Sequence, residues 1–314
     1  MDNRRLAIVV GLGVVELWVV GLMIRSLCGR SHDAGYSLAP AHVSAAAAVG
    51  AASAGRTAKT IETGPAPHVV IDDDQATLTV SVRPGTAVDV TEQIQFSGWM
   101  RGSGRPVTIE KTSDGVSITQ PDSEDFIAFG SVRRRLDVVV PPGARLDVAN
   151  AGSIKVSGLR AEATLHSGDG SIVVSDQRGA LDVKTDDGLI ELHDVEAPSV
   201  AVGSDNGRVT FDGVRADRVA ISTDNGRIDV VRSVLRNGKI QTDNGRIRLA
   251  LDPNSDVTVS AHTSSGKVVA EAPLTVVSGG DDDDAPSTIR VGNGAGRLEV
   301  GSDDGSITVA AGGV

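Results

Sequence analysis

The sequence predicts an all-β protein: a parallel β-solenoid, joined to a transmembrane helix at its N-terminus. Three observations support this prediction. A 19-residue apolar segment lies near the N-terminus, apolar and polar residues alternate after residue 67, and a glycine-centred phrase recurs at intervals of 18 or 19 residues from Gly152 onward. Alternation with a period of two indicates β-strands, and a short, regular repeat indicates a solenoid.

Residues 6–24, with the sequence LAIVVGLGVVELWVVGLMI, form the predicted membrane anchor. They carry one formal charge, Glu16, and a helix of this length approaches the roughly 30 Å thickness of the hydrocarbon core. We therefore expect a single-pass protein of the cytoplasmic membrane, with residues 1–5 as a short cytoplasmic tail and an extracytoplasmic C-terminal domain. A cleaved signal peptide is the alternative, although this apolar run is longer than the roughly 7 to 15 residues typical of one.

Residues 25–67 are predicted to be a linker, because they are rich in Ala, Gly and Ser and show no apolar period. The predicted β-domain is 68–314. Within it, residues 68–150 alternate less regularly and are predicted to form an N-terminal cap or the first coils, whereas residues 151–314 carry the regular repeats of about 19 residues. The less regular part contains four aromatic residues: Phe96, Trp99, Phe126 and Phe129.

The repeat has the form apolar-x-apolar-x-Thr/Ser-Asp-Asn-Gly-Arg-apolar-x-apolar. Its glycines are at 152, 170, 188, 207, 226 and 245, and the series continues at 266 and closes at 305, after the insertion SGGDDDDAP. Alternate residues of a strand face one side, so the aliphatic positions are predicted to fill the interior while Thr, Arg, Asp and Ser point outward. The predicted inward residues of two units are Val200, Val202, Val209, Phe211, Val219, Ile221, Ile228 and Val230.

An antiparallel meander is the main alternative, because Asn-Gly between alternating apolar residues is a strong hairpin signal. A hairpin, however, does not require the turn tripeptide to recur at a fixed interval. In a parallel coil each recurrence lies one strand spacing, about 4.8 Å, from the last. Asn206, Asn225 and Asn244 would then form an amide ladder of the kind that stabilises stacked strands. Right-handed winding is the expected hand.

The composition excludes several functions. The chain of 314 residues has a net charge of -11, one Cys, six His, four Phe, two Trp and one Tyr. One Cys and scattered His exclude a disulfide framework and a Cys/His zinc cluster, so we expect no cofactor and no metal. An acidic chain is not expected to bind nucleic acid, whose phosphates select basic surfaces.

The turn residues are the candidate sites. They could form an acidic ladder for calcium, or a charged face for a polymeric anion or a sugar. The glycine-rich calcium-coil pattern is absent, and Asp before Asn-Gly favours the turn through its own side chain, so we interpret them as structural, with an Arg near each Asp to offset repulsion. The predicted turn ladder is Asp205, Asn206, Gly207, Asp224, Asn225, Gly226, Asp243, Asn244 and Gly245, and the predicted outward basic ladder is Arg208, Arg227 and Arg246.

Other polar groups receive structural interpretations. The four aspartates at 281–284 are predicted to be a solvated charge run, because calcium needs oxygens that converge from shaped loops. Arg133, Arg134 and Arg135 are predicted to be an exposed run beside a strand, with contact to anionic lipid or wall polymer as the alternative. His166, His193 and His262 are each isolated in the sequence, and no hydrolase, metalloprotease or phosphate-loop motif is present.

The segment RRLDVVVPPGARLDVANAGSIKVSGLRAEATLHSGDGSIVV, the TDNGRI units and the closing VGNGAGRLEVGSDDGSITV together resemble a bacterial family of β-strand-repeat domains known as putative adhesins. The resemblance covers roughly residues 68–314. It implies a β-solenoid outside the cytoplasmic membrane, in membrane-anchored or exported proteins, and it brings no catalytic residues with it.

The sequence therefore predicts a non-catalytic, envelope-facing scaffold or binding domain on a single-pass anchor. Its expected partners are the membrane, through the N-terminal helix, and a cell-surface glycan or an envelope protein. Two alternatives remain open. One is a polysaccharide-active enzyme, because β-helical folds also carry lyases and hydrolases. The other is a sensory or regulatory ectodomain of an envelope-stress system.

Overall fold

The computed structural model describes residues 53–101, 106–120, 127–271, 273–274, 276–278 and 286–312. The predicted tail, the predicted anchor with Glu16, the linker up to residue 52 and the aspartates 281–284 lie outside these residues. The described part is all-β, and it contains no helix long and apolar enough to cross a bilayer.

The strands follow the chain in this order. They are β1 (Ser53–Glu62), β2 (His68–Val82), β3 (Ala87–Arg101), β4 (Thr108–Lys111), β5 (Gly115–Thr119), β6 (Ile127–Val140), β7 (Arg145–Ser157), β8 (Ala163–Ser167), β9 (Ile172–Ser175), β10 (Leu181–Thr185), β11 (Ile190–His193), β12 (Glu196–Ser204), β13 (Val209–Asp212), β14 (Arg215–Thr223), β15 (Ile228–Thr242), β16 (Ile247–Leu251), β17 (Val257–Thr263), β18 (Val268–Ala270), β19 (Val276–Ser278), β20 (Ser287–Val291), β21 (Gly296–Ser302) and β22 (Ile307–Ala311).

Two parallel ladders make up the body of the solenoid. Ladder A contains the strands before each glycine turn, in which β10 pairs in parallel with β8 and β12. Ladder B contains the strands after the turn, in which β11 pairs in parallel with β9 and β13. Val183 lies opposite Val202, and Val202 opposite Ile221, so the register advances by one repeat per layer. The parallel solenoid is confirmed and the antiparallel meander is wrong for this region.

Aliphatic side chains fill the interior between the ladders. All eight residues predicted to face inward are buried, with exposed fractions from 0% to 4%. Because like side chains stack on like, each layer adds Val, Ile and Leu to a continuous core. This confirms the predicted inward face of the repeat.

Glycine is required at the turn because successive coils come very close there. A Cβ on Gly226 would lie 2.0 Å from the carbonyl oxygen of Gly207, and a Cβ on Gly245 would lie 1.9 Å from that of Gly226. Both contacts are with backbone atoms, which cannot rotate away. The turn glycine is therefore fixed by the stacking itself rather than by a left-handed backbone.

The C-terminal coils do not stack in chain order, contrary to the predicted continuation through Gly266 to Gly305. A Cβ on Gly305 would meet the carbonyl of Gly245, and a Cβ on Gly266 would meet the carbonyl of Gly305. The strands agree: β21 lies between β15 and β17, and β22 lies between β16 and β18. The long connection after β18 allows this, because β20 first pairs antiparallel with β17 before the chain turns back.

At the N-terminal end, too, a strand is enclosed by strands that are not its neighbours in the sequence. Strand β2 lies between β7 on one side and β5 and β6 on the other. The sequence 53–62 forms β1, which pairs antiparallel with β3, and β3 pairs antiparallel with β6. The predicted linker is therefore wrong in its last part. Its small and polar residues form a strand because β3 offers them an open edge to pair with.

We expect Gly226→Ala to destabilise the domain by about 3 kcal/mol, the upper end of the range for overpacking, because the new methyl group would overlap a backbone carbonyl. Gly301→Ala is the matched control, since a Cβ there meets nothing within 4 Å. Urea unfolding of both variants measures the difference. Equal midpoints for the two variants would contradict the requirement for a close approach at the turn.

Candidate binding surfaces of the solenoid

The predicted amide ladder forms a chain of hydrogen bonds along the edge of the solenoid where the glycine turns stack. The side-chain amide of Asn225 donates to Oδ1 of Asn206 at 2.8 Å, and that of Asn244 donates to Oδ1 of Asn225 at 2.9 Å. Asn206 donates in turn to Oδ1 of Asp187. The backbone N–H of Asn225 also donates to the carbonyl of Asp205 at 2.8 Å. Each turn is thus bonded to the turn of the layer beside it.

The hydroxyl residue before each turn aspartate is buried, although it was predicted to point outward. The N–H of Gly207 donates to Oγ of Ser204 at 2.9 Å, and the Thr185 hydroxyl donates to the carbonyl of Gly168 at 2.8 Å. A buried N–H or carbonyl needs a partner, and this hydroxyl supplies one inside the corner. The buried members of the file are Ser167, Thr185, Ser204, Thr223, Thr242 and Ser302.

The charges of the turn edge form two separate files. Asp205, Asp224 and Asp243 are exposed, and no ion pair within 4.0 Å joins them to an arginine in the described part of the chain. Arg227 instead pairs with Asp229, with 2.7 Å between Nε and Oδ2, while Arg208 and Arg246 are exposed. The expectation that the arginines neutralise the turn aspartates is therefore wrong. In water, repulsion between carboxylates about 4.8 Å apart costs only about 1 kcal/mol, which the turn tolerates.

No three His, Cys, Asp or Glu side chains are arranged to hold a metal ion in the described residues. The turn aspartates run in a straight file along the edge of the solenoid. Oxygens in a file do not converge on one point, whereas a calcium ion takes six to eight oxygens around it.

The arginine run at 133–135 is not uniformly exposed. Arg133 and Arg135 face solvent, but Arg134 is buried. Its Nη1 lies 3.0 Å from Oδ2 of Asp73, and its Nε lies 3.0 Å from Oε1 of Glu92. The interpretation of the run as an exposed charge patch is wrong for Arg134, because alternation along β6 turns every second residue inward.

Burial raises the pKa of Glu92, although the Val107 N–H and the Arg134 guanidinium act in the opposite direction. The charge of Asp73, which pairs with the same guanidinium, also raises the pKa of Glu92. The cluster joins β2, β3 and β6, which all belong to the N-terminal cap.

The histidines differ in their surroundings. His166 and His262 are half-buried on ladder A. His193 lies on β11 opposite Ser175 of β9 and Asp212 of β13, so a Ser, a His and an Asp occupy successive strands. The His193 Nδ1 is 3.9 Å from Asp212 Oδ2, its Nε2 is 3.6 Å from Glu191, and Asp212 is held by Arg232 at 2.6 Å. Sequence analysis missed this file because its three members are different residue types, although they occupy the same position of successive repeats.

A second corner of the solenoid, opposite in sequence phase to the glycine turn, was not predicted from the sequence. Asp176, Asp194 and Arg232 have φ near 50°, and they are in line with Gly158 and Gly213, which have φ of 80° and 72°. Gly and Asp tolerate this left-handed conformation better than most residues, so their recurrence at 18 or 19 residues was the available signal. The bidentate pair with Arg160 holds this corner and lowers the pKa of Asp176.

A shallow groove of about 580 Å³ runs beside this corner. Ala197 and Ala216 are buried beneath it, and Pro198 and Val234 also line it. Its charged residues come from successive strands: Arg178 is paired with Glu196, and Glu196 with Arg215, in a parallel register. A smaller depression of about 320 Å³ adjoins it and shares Val234 and Arg236.

These features define the class of the protein by its fold: an all-β parallel solenoid with stacked turns. The chain belongs to the Toastrack DUF4097 family, which matches residues 68–310. No curated protein matches the chain.

Two solved structures are similar to this chain. A putative adhesin from Parabacteroides merdae is 11% identical with a TM-score of 0.50, over 82% of this chain and 96% of that one. A putative adhesin from Parabacteroides distasonis is 13% identical with a TM-score of 0.48, over 81% and 97%. The likeness to the first of these structures shows the fold alone.

We expect two substitutions in the buried cluster to change the free energy of unfolding by very different amounts. Arg134→Met leaves Asp73 and Glu92 without their guanidinium and should cost about 3 to 5 kcal/mol. Glu92→Gln keeps an acceptor for the Val107 N–H and removes a carboxylate whose ionised form burial disfavours, so at neutral pH it should cost much less than Arg134→Met. Chemical unfolding of the two variants measures both effects.

The difference in stability between the wild type and Glu92→Gln should also depend on pH. A pKa raised in the folded state means that the stability contributed by Glu92 is greatest below its unfolded pKa and is lost as pH rises through its folded pKa. The stability of the wild type relative to Glu92→Gln should therefore increase as pH falls from neutral. A constant difference across this range would contradict the assignment.

Proposed function

We propose that this protein is a non-catalytic binding protein of the cell envelope, with an adhesin-like solenoid as its binding domain. The observation that carries the proposal is the stacking of like polar side chains along the outer surface. Within each file, neighbouring side chains are about 4.8 Å apart. Such a surface presents many equivalent contacts to an extended partner, and linked contacts raise avidity without any new kind of interaction. A cell-surface glycan or an envelope protein is the expected partner.

We further propose that residues 6–24 anchor the chain in the cytoplasmic membrane, with the solenoid outside the cytoplasm. The apolar length of this segment supports the proposal, as does the Ala/Gly/Ser-rich sequence up to residue 52, which suits a tether. Glu16 is then a single carboxylate tolerated within the span.

A polysaccharide-active enzyme is the second candidate function. The file of Ser175, His193 and Asp212 favours it in one form, the removal of ester-linked acyl groups from a polysaccharide, because a serine nucleophile needs a carbonyl carbon and a glycosidic bond has none. Against it, no hydrogen bond joins Ser175 to His193 in the described structure, and Asp212 is engaged by Arg232. A nucleophile normally needs its base within about 3.2 Å, although apo sites are often looser.

Membrane topology can be measured with protease added to spheroplasts of cells that produce the full chain. We expect the solenoid to be digested while a cytoplasmic marker protein survives. A solenoid that resists digestion in intact spheroplasts but is cut after lysis would contradict an extracytoplasmic domain.

Binding and cleavage can be separated in one set of assays. The purified full chain should bind whole cells and a subset of glycans on an array, and it should release neither acyl groups nor reducing ends from the same polysaccharides. His193→Ala should leave binding unchanged. Acyl release that disappears in His193→Ala would favour the enzyme instead, and absence of binding to every cell and glycan would contradict the proposed function.

A further inference from the structure

The groove beside the second corner has the form of a trench for an extended chain. The file of Arg178, Glu196, Arg215 and Val234 crosses successive strands, so this part of the groove extends about 14 Å along the solenoid axis, at one strand spacing per layer. The adjoining depression at Arg236 lengthens it further. An open trench of this kind suits a segment of polymer rather than a compact molecule.

The groove carries charges of both signs. Arg178 lies 3.8 Å from Glu196, and Arg236 lies 3.4 Å from Asp217, and these side chains are largely exposed. Arg215 is exposed and has no ion-pair partner within 4.0 Å among the described residues. Three arginines and two carboxylates line the groove, and the adjoining depression adds a third carboxylate.

More unpaired arginines lie close to the groove in sequence and register. Arg218 follows Asp217, and Arg297 follows Gly296, which lines the adjoining depression. Both arginines are exposed and have no ion pair in the described part of the chain. Asn237 lies between them, paired in register with each, and it adds an amide to the row.

We propose that this groove binds a segment of an acidic polysaccharide. Arg215 pairs with a sugar carboxylate, Glu196 and Asp217 accept hydrogen bonds from sugar hydroxyls, and the apolar floor of Pro198 and Val234 packs against the C–H face of a ring. Guanidinium–carboxylate pairs have the bidentate geometry that such recognition uses. This inference rests on the proposed function and names the ligand class for one of its surfaces.

The mixture of charges favours a polysaccharide over other polyanions. A polyglutamate peptide has no hydroxyl donors on its side chains for Glu196 and Asp217, and its own charges would be repelled by these carboxylates. An acidic polysaccharide supplies both carboxylate acceptors and hydroxyl donors along one chain. Because the groove lacks aromatic rings, affinity has to come from these polar contacts and the shallow apolar floor.

Binding of the full chain to polygalacturonate tests the proposal, with dextran and fully methyl-esterified pectin as neutral polymers. We expect polygalacturonate to bind at least tenfold more tightly than either neutral polymer, and added salt to weaken it. Arg215→Ala should weaken binding about tenfold, equivalent to about 1.4 kcal/mol. Arg208→Ala is the matched control, an exposed arginine on the turn edge, and it should bind as the wild type does.

Several outcomes would overturn the proposal. Equal losses in Arg215→Ala and Arg208→Ala would show that charge alone attracts the polymer, and equal binding of polyglutamate or of phosphatidylglycerol vesicles would point to a peptide or a membrane. Binding to cells or neutral glycans without binding to polygalacturonate would overturn this inference and leave the proposed function intact. Absence of all binding would overturn both. Thermal unfolding of each variant checks that it is folded.

Discussion

The close approach of backbone at the glycine turn is the constraint on which the rest of the solenoid depends. At Gly188, Gly207, Gly226, Gly245 and Gly305, an added Cβ would come within 2.0 Å of the carbonyl oxygen of a neighbouring turn. Since no side chain fits there, the turn can stack in only one phase, and a slip by one residue would place a larger residue in the contact. A slip would also exchange the core and solvent faces of both flanking strands. Two penalties therefore enforce one register.

That fixed register makes the surface of the protein repetitive. Once each turn lies on the one below, Asn225 must face Asn206 and Asn244, and their amides bond in series. The same geometry places Asp205, Asp224 and Asp243 in one file and Arg208, Arg227 and Arg246 in another, without ion pairs between the files. Structural stacking and a repetitive outer surface are thus two results of one cause.

The local period made the core and the turn predictable, whereas long-range pairing was not predictable. Val219 and Ile221 follow from alternation alone, because every second residue of a strand faces inward. Thr223 faces inward in the same phase, but its side chain is polar. A hydroxyl is buried at this position because the turn leaves a backbone donor or carbonyl that needs a hydrogen-bond partner. Alternation along β6 turns Arg134 inward, and its burial is tolerated because it pairs with Asp73 and Glu92, which come from strands far away in sequence. The strand at 53–62 and the groove also depend on neighbours that no local pattern specifies.

The insertion of the last coil explains how the C-terminal end avoids an open edge. If the coils stacked in chain order, the final strands β21 and β22 would expose a full row of backbone donors and acceptors, which promotes pairing with other chains. Instead these strands are enclosed, and the edges are left to β18 and β19, which have only three residues each. The exposed Val269, Val276 and Val277 lie on these short edges. At the other end the edge strand β1 presents Arg56 and Lys59, charges that oppose pairing by a different means. Enclosing this coil also means that β17 and β18 gain their parallel partners only after β21 and β22, which follow them in the chain, have joined the ladder.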